Sequence, residues 1–436
     1  MRFVIWFFLY FFLANFLLPG VGAFGQSFLV ILPILISSLN LAYYSVSLTP
    51  RSVHAAGFWV FSYVFLGLAP ISQLASGSFP WLDNYTVEII DYSWVLVSVG
   101  MLSYMLGYVL GLRGVELGAE EVVRGSISYF PYMVAVGVGL SLFGIMYNGV
   151  GMLFVSRHEL FSNMDSSGSS VFMLVQALMR VPLFFVTLFS LYITLEYKKY
   201  FYVSCALIAL VLVVNNPLST PRYWFGAVTL SILFLYIAVR HERMVRLFPV
   251  SLVLILVLVF PVMDVFRSTL DTDFFAAVEN FSAVEDLERS PDFDAFQQLM
   301  NTIVYVDIYG LEYGRQFLSS LFFWVPRFLW EGKSQASGLM VAESLGYSFT
   351  NLSSPLWAEF YIDFGLLGLI FGMFLFGYAF ARISIRGRGI WVILSIFLCA
   401  YQIYFLRGSL MVTSNFLIVY LACFYFLLRL SRASLK

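Results

Sequence analysis

The chain has 436 residues, of which 61% are hydrophobic and only 11% are charged, too little polar surface for a water-soluble protein of this length. Aromatic residues make up 19% of the chain, which suits a bilayer, where Trp and Tyr settle at the interfaces. A formal net charge of −1 gives no support to a nucleic-acid partner. The three cysteines all lie inside apolar runs, so we expect neither a disulfide framework nor a cysteine metal site.

Apolar runs along the chain have lengths close to the roughly 20 helical residues that cross a bilayer. They predict an all-α, polytopic integral membrane protein with about 12 transmembrane helices. The predicted spans are 3–18, 25–47, 55–74, 89–112, 128–147, 171–195, 201–216, 223–239, 247–265, 361–381, 390–406 and 410–428. The chain thus divides into three parts. The first nine spans and a medium-length outer loop at 148–170 lie in residues 1–265. A long hydrophilic loop follows at 266–360, and the last three spans lie in 361–436.

Lys and Arg concentrate on the cytoplasmic side of membrane proteins, and this bias orients the spans. With both termini in the cytoplasm, the inner segments receive most of the basic residues: Arg2, Arg51, Arg113, Arg124, Lys198, Lys199, Arg240, Arg243, Arg246, Arg382, Arg386, Arg388, Arg429, Arg432 and Lys436. The outer segments receive only Arg157, Arg222, Arg267, Arg289, Arg315, Arg327, Lys333 and Arg407. The long loop is therefore predicted to be non-cytoplasmic.

The long loop changes character along its length. Its first half is acidic and leads into a predicted helix at 294–305. Residues 317–325 are apolar but too few to cross a bilayer, so we expect them to lie in the interface or to re-enter the membrane. Loops of this length are uncommon unless they carry a function.

Three outer arginines run against the charge bias and need a reason. Arg222 and Arg407 lie in short turns, and Arg327 follows Pro326 in an aromatic stretch. Guanidinium groups bind phosphate oxygens bidentately and stay charged in partly dry surroundings. Arginines converging at membrane depth would suit a lipid-linked diphosphate, although any one of them could simply snorkel to the interface.

Arg180 lies near the middle of the sixth predicted span, where a buried guanidinium is costly unless it is paired or faces water. We expect it to be functional, with a structural pair to a neighbouring helix as the alternative. A spacing also repeats in the two larger outer loops, where ten residues separate Arg157 from Gly168 and Arg327 from Gly338.

Four side chains are candidates for a general base that accepts a hydroxyl proton: Glu359, Asp363, His158 and Glu343. For each of them a solvated loop residue is the alternative interpretation. The pairs Asp271/Asp273 and Asp292/Asp294 have a metal-binding Asp-x-Asp form. In so acidic a loop, without a His/Cys cluster, we interpret both as chance and expect no metal.

From Phe323 onward the chain resembles a bacterial family. Residues 324–333, WVPRFLWEGK, are similar to the Pro-Arg-x-Leu-Trp-x-x-Lys segment of O-antigen polymerases, the Wzy-type polymerases of oligosaccharide repeat units. Three further segments resemble parts of the same family: residues 353–355 together with 359–368, Arg407-Gly408, and residues 219–222. In the last of these, Tyr223 stands where the family often has a Gly after the Arg. The paired Arg and Gly spacing is also like that of such polymerases.

The resemblance implies a metal-independent glycosyltransferase of the bacterial inner membrane, in the GT-C-like superfamily, without a cofactor. It would transfer a growing glycan from undecaprenyl diphosphate to the next lipid-linked repeat unit at the periplasmic face. Its partners would be that donor and acceptor, membrane lipids and a Wzz-type chain-length regulator. We expect catalytic roles for Arg222, Arg327, Arg407, Glu359 and His158, and substrate contacts from Arg157, Arg180, Lys333, Gly168, Gly338, Trp324, Trp330 and Asp363.

Two rival functions remain open at this point. An O-antigen ligase has a similar topology but transfers glycan to lipid A–core. A lipid-linked oligosaccharide flippase also has about 12 spans, but such transporters usually place their critical charges near the midplane and keep their outer loops short. Arg180 favours transport, whereas the long loop and the outer arginines count against it.

Overall fold

A computed structural model describes residues 1–17, 28–81, 85–113, 127–155, 169–262, 281–350, 352–386 and 389–433. Across these ranges the secondary structure is helical and contains no β-strand, which confirms the predicted all-α class. The helices long and apolar enough to cross a membrane within these ranges number eight: His54–Ser76, Val87–Gly111, Phe130–Asn148, Ser170–Tyr197, Arg222–Arg240, Glu242–Val262, Leu356–Ile385 and Leu410–Leu430. The chain is thus a polytopic helical protein of membrane type.

Shorter apolar helices occupy the four remaining predicted spans: Arg2–Ala14, Ile31–Ser47, Phe201–Val214 and Trp391–Arg407. Every apolar run identified in the sequence is therefore helical in the described part of the chain. These four helices are shorter than the roughly 20 residues of a full crossing, so the count of 12 crossings stays a prediction.

Glycines set the closest helix crossing, between Val87–Gly111 and Leu356–Arg386. A Cβ at Gly107 would lie 2.0 Å from the carbonyl oxygen of Phe374, and one at Gly377 would lie 2.1 Å from that of Tyr104. Helices in membranes associate through such small residues because the backbones can then approach closely. This crossing holds the helix that carries Glu359 and Asp363.

The helix Leu356–Arg386 breaks at Gly365, whose backbone has φ 62° and ψ −151°. A residue with a side chain rarely adopts this conformation, so glycine is required at the break. The carbonyl oxygen of Ile362, left without a helical partner there, accepts a hydrogen bond from the Glu312 amide at 2.9 Å. The helix starts at Leu356, earlier than the predicted span, and thereby takes Glu359 and Asp363 into a short segment before the break.

From residue 281 onward, where the structure describes it, the long loop contains four helices: Ala283–Arg289, Ala295–Tyr309, Arg315–Leu321 and Ser337–Ser344. The helix predicted at 294–305 is confirmed as Ala295–Tyr309. The helix Arg315–Leu321 leaves Phe317, Leu318 and Leu321 exposed. Ser414, on the last span, donates a hydrogen bond to Ser320 at 3.2 Å. This apolar face suits the interface location predicted for 317–325, whose depth in a bilayer stays a prediction.

Segments that the charge pattern assigns to the same side contact each other at two places. The outer turns at Arg222 and Arg407 both contact Asp292 of the long loop. Among the segments predicted to be inner, the Ser395 hydroxyl lies 2.7 Å from Nδ1 of His54 and 3.1 Å from the Arg51 carbonyl oxygen, to which it donates. The sidedness of the chain as a whole stays a prediction.

The glycine crossing gives a stability prediction. Gly107→Val should lower the melting temperature of the purified protein, because the side chain overlaps the Phe374 backbone and overpacking costs about 1–3 kcal/mol. The matched control is Gly139→Val, on another span, where a Cβ meets nothing within 4 Å. Equal melting temperatures for the two variants would contradict the assigned backbone contact.

Candidate functional site

Arg222 is positioned by a rigid turn at the start of the helix Arg222–Arg240. In that turn the Trp224 indole donates to the side-chain oxygen of Asn215 at 2.7 Å, and the Thr220 hydroxyl donates to the Asn216 carbonyl at 2.6 Å. The Arg222 guanidinium then donates to Oδ1 of Asp292 at 3.2 Å. The turn therefore presents one cation to the long loop.

Arg407 ends the helix Trp391–Arg407 and reaches the same part of the loop. Its Nε donates to the carbonyl of Asp292 at 2.8 Å, and its Nη2 to the carbonyl of Pro291 at 2.7 Å and to Oδ1 of Asp294 at 3.3 Å. The guanidinium carbon lies 5.1 Å from the ring centre of Tyr223, within cation–π range. Arg407 is thus fixed from several directions.

The two arginines share a carboxylate, since Asp292 Oδ1 lies 3.2 Å from Arg222 and 3.9 Å from Arg407. We call Arg222, Arg407, Asp292 and Asp294 the arginine cluster. Its arginine side chains are 19% and 18% exposed, and those of Asp292 and Asp294 are 13% and 1% exposed. In such partly dry surroundings charges interact more strongly than on an open surface. Within the cluster the two carboxylates neutralise the two guanidinium groups.

Asp292 and Asp294 are site residues that the sequence reasoning missed. Their Asp-x-Asp spacing was the available signal, but it was weighed only as a metal site and not as a partner for the outer arginines. Phe293 between them is buried with its ring 5.4 Å from Phe65, which anchors the pair. In the described part of the chain, no group of three or more His, Cys, Asp or Glu side chains is placed to hold a metal.

Glu359 lies in a buried polar network beside the Arg407 turn and is only 2% exposed. Its Oε1 accepts a hydrogen bond from the Ser337 hydroxyl and another from the Leu410 amide at 3.0 Å. The Ser337 and Ser409 hydroxyls are 3.0 Å apart. Glu359 therefore ties the first turn of Leu410–Ala433 to that of Ser337–Ser344.

Gly338 belongs to the same region for a steric reason. A Cβ there would lie 2.6 Å from the carbonyl oxygen of Leu352 and 3.0 Å from that of Ser353. The following residue, Ser354, donates its amide to the Arg407 carbonyl at 3.0 Å. The structure thus brings Arg222, Arg407, Glu359 and Gly338 into one connected region.

Arg327 has different partners from the other two arginines. Its Nη1 donates to the Lys333 carbonyl at 2.7 Å and its Nη2 to the Ser334 carbonyl at 3.0 Å. These bonds close the loop that carries Trp324, which is exposed, and Trp330, which is partly buried. The structure therefore joins Arg222 and Arg407 but gives Arg327 a loop-closing set of contacts.

Lys333 is buried and donates to three oxygens: Phe323 O at 2.6 Å, Val325 O at 2.8 Å and Ser170 Oγ at 3.1 Å. Burial, together with the nearby Arg327 charge, lowers the pKa of Lys333 to about 8. The amine is therefore mostly protonated at neutral pH, and each of its three protons has one of the three oxygens as its acceptor. These contacts account for Lys333 as an organiser of its loop, and its predicted substrate contact stays a prediction.

The structure places only some of the remaining residues that the sequence predicts for the site. Arg180 is buried within the helix Ser169–Tyr197, two positions before Pro182. Arg157, His158 and Gly168 lie outside the described residues, so the repeated Arg and Gly spacing is not tested there. Glu343 is exposed on the helix Ser337–Ser344.

Asp363 caps a helix. It is buried, and it accepts hydrogen bonds from the backbone amides of Gly314 and Gln316 at 3.1 Å each and of Phe317 at 2.7 Å. Negative charge at a helix N-terminus is stabilising because the free amides and the helix dipole point at it. The contacts account for this carboxylate without a substrate, and its predicted substrate contact stays a prediction.

Comparisons with protein-family models, with curated proteins and with solved structures returned no match for this chain.

The cap gives a test of local stability. Asp363→Asn should raise the hydrogen-exchange rate of the amides at 314–317, because the loss of charged acceptor bonds costs about 1–3 kcal/mol. Asp307→Asn is the matched control, since Asp307 is exposed on the neighbouring helix Ala295–Tyr309. Unchanged exchange in Asp363→Asn would show that the carboxylate does not hold the helix.

Proposed function

We propose that the chain is a glycosyltransferase that polymerises undecaprenyl-diphosphate-linked oligosaccharide repeat units into O-antigen at the periplasmic face of the inner membrane. The observation that carries the proposal is the convergence of Arg222 and Arg407 on one carboxylate at the end of the bundle that also holds the long loop. In the proposal a diphosphate oxygen takes the place of the Asp292 carboxylate between the two guanidinium groups, which bind phosphate as they bind carboxylate. The resemblance in 324–333 and 353–368 supports the same reaction.

The reaction breaks one bond and forms one. A hydroxyl of the acceptor sugar attacks the anomeric carbon of the donor glycan, the bond from that carbon to the diphosphate oxygen breaks, and its electron pair leaves with the diphosphate. The acceptor proton passes to a base. Fixed cations in partly dry surroundings stabilise the charge that develops on the leaving diphosphate, because they need no reorganisation. Arg222 and Arg407 would take this role.

Glu359 would act by positioning rather than as the base. It is buried, and its Oε1 already holds the Leu410 amide and the Ser337 hydroxyl. A general base must come within hydrogen-bond reach of the proton that it abstracts. In our proposal Glu359 holds the turn that carries Arg407, and His158 and Glu343 remain as sequence candidates for the base.

The proposed partners follow from the same reaction. Donor and acceptor would both be undecaprenyl-diphosphate-linked glycans, the lipid tails would run in the bilayer, and a Wzz-type protein would regulate chain length. The exposed apolar side chains Phe317, Leu318 and Leu321 would keep this end of the protein in the outer leaflet. Both termini would lie in the cytoplasm.

The arginine cluster gives the central prediction. Arg222→Gln and Arg407→Gln should reduce polymerisation by about 10²–10³-fold, the usual loss when one charge-stabilising donor is removed. The measurement is the lipopolysaccharide ladder of a deletion strain that expresses each variant, with membrane abundance measured by immunoblot. Arg222→Lys keeps the charge but loses the bidentate fork, so it should retain partial activity.

The control is Arg289→Gln, which removes an exposed arginine on the same loop that pairs with Glu285 at 3.4 Å. It should leave the ladder unchanged. Normal long ladders from both cluster variants would overturn the proposed site. The deletion strain itself separates the reactions, since loss of a polymerase leaves one repeat unit on the core, whereas loss of a ligase leaves none there.

Glu359 is tested by two substitutions. Glu359→Gln should keep most of the activity, because an amide oxygen still accepts from the Leu410 amide and the Ser337 hydroxyl. Glu359→Ala should lose it, since the turn is no longer held. If Glu359→Gln is inactive although its membrane abundance and melting temperature are normal, the carboxylate is the base and our positioning role is wrong.

A further inference from the structure

Aromatic side chains form a row along the loop helix Ala295–Tyr309. Positions 294, 297, 301, 305 and 309 recur every three or four residues and therefore share one face of the helix. The side chains at this face bind aromatic residues from elsewhere in the chain, namely Trp81, Tyr85 and Tyr347. None of these rings was singled out in the sequence. We call Trp81, Phe349, Tyr85, Tyr347, Tyr305 and Tyr309 the aromatic row.

The row begins at the arginine cluster. The Trp81 indole donates to Oδ2 of Asp294 at 2.9 Å, while Oδ1 of the same carboxylate accepts from Arg407 at 3.3 Å. The rings of Trp81 and Phe349 then stack, with centroids 5.3 Å apart and planes 14° apart. Phe349 is 43% exposed, so this stack reaches the surface beside the cluster.

Buried amides hold the middle of the row. The Tyr85 hydroxyl donates to Oδ1 of Asn301 at 2.8 Å, and Nδ2 of Asn301 donates to the Tyr347 hydroxyl at 2.8 Å. Gln297 donates to the Tyr85 hydroxyl at 3.0 Å and accepts from the Trp81 backbone amide at 3.2 Å. Such a network keeps the aromatic side chains in fixed orientations before any ligand arrives.

The far end is formed by Tyr305 and Tyr309, whose ring centroids lie 5.0 Å apart. Tyr305 is buried and its hydroxyl donates to Glu312 at 2.6 Å, whereas Tyr309 is 58% exposed. Residues 295 to 309 span about 21 Å at a rise of 1.5 Å per residue. The helix beneath the row is therefore as long as several sugar rings, and Phe349 and Tyr309 are the exposed rings toward its two ends.

We propose that the aromatic row binds the glycan part of the substrate, a proposal that rests on the proposed function. The C–H faces of a sugar ring pack on flat aromatic rings, while phenol and carboxylate groups at the ring edges bind its hydroxyls. The polar groups distinguish this row from the face of Phe317, Leu318 and Leu321, which suits lipid. Because the row starts at Asp294, a glycan lying on it has its diphosphate end near Arg407.

The test measures glycan binding apart from polymerisation. The probe is the source strain's own polysaccharide, released from its lipid by mild acid and titrated into the purified full-length protein in nanodiscs by calorimetry. We expect the native protein to bind it and Phe349→Ala to bind about tenfold more weakly. Phe349→Leu keeps an apolar side chain but loses the flat ring, so the same loss is expected.

The control is Tyr202→Ala, at an 86% exposed tyrosine on the helix Phe201–Val214, which should bind as the native protein does. Absence of binding by the native protein would overturn the proposal, as would equal affinities in the native and Phe349 variants. An equal loss in Tyr202→Ala would also overturn it.

Failure of this proposal and failure of the proposed function give different results. If the deletion strain still makes normal polymer while the native protein binds glycan through Phe349, polymerisation is wrong and the glycan site stands. If the deletion strain loses polymer and no released glycan binds, the proposed polymerisation stands and the glycan site is wrong. When both are right, Phe349→Ala should shorten the polymer, whereas the arginine variants abolish it.

Discussion

The ion pairs of Arg222 and Arg407 with Asp292 and Asp294 connect parts of the chain that are distant in sequence. They join a turn between two helices, the end of a third helix and the long loop. Asp294 is buried and also accepts from Trp81, Gln298 and Ser353. Removing one partner of a buried ion pair costs about 3–5 kcal/mol because the other charge is left uncompensated. The position of the loop helix therefore depends on this cluster.

Contacts with neighbouring segments hold the arginine cluster in place. Glu359 binds the Leu410 amide just after Arg407, and the Ser354 amide binds the Arg407 carbonyl. The glycine crossing at Gly107 and Gly377 holds the helix from which Glu359 extends. In the proposed reaction the leaving diphosphate is stabilised by cations held in fixed positions, and these contacts would hold Arg407 in that way. The aromatic row leads away from the same cluster, so charge and sugar would be recognised at adjacent places.

Three charged side chains in the second half of the long loop and just after it have main-chain groups as partners. Lys333 and Arg327 both donate to main-chain carbonyls and close the loop around 323–334. Asp363 caps a short helix. A sequence shows that a charged residue lies in an apolar stretch but not whether main-chain groups already satisfy it. Geometry therefore separates Arg327 from Arg222 and Arg407, although all three look alike in the sequence.

The sequence by itself determined the helical class, the apolar runs and the helix at 294–305, and its charge pattern singled out the turns at Arg222 and Arg407. These follow from hydrophobicity and charge, which act residue by residue and need no knowledge of neighbours. Only the tertiary structure decided that Asp292 and Asp294 pair with those arginines and that Trp81, Tyr85 and Tyr347 bind side chains on one face of the loop helix. Such contacts join residues about 70 to more than 200 positions apart, such as Arg222 with Asp292 and Trp81 with Asp294. They depend on how the helices pack, which local patterns do not encode.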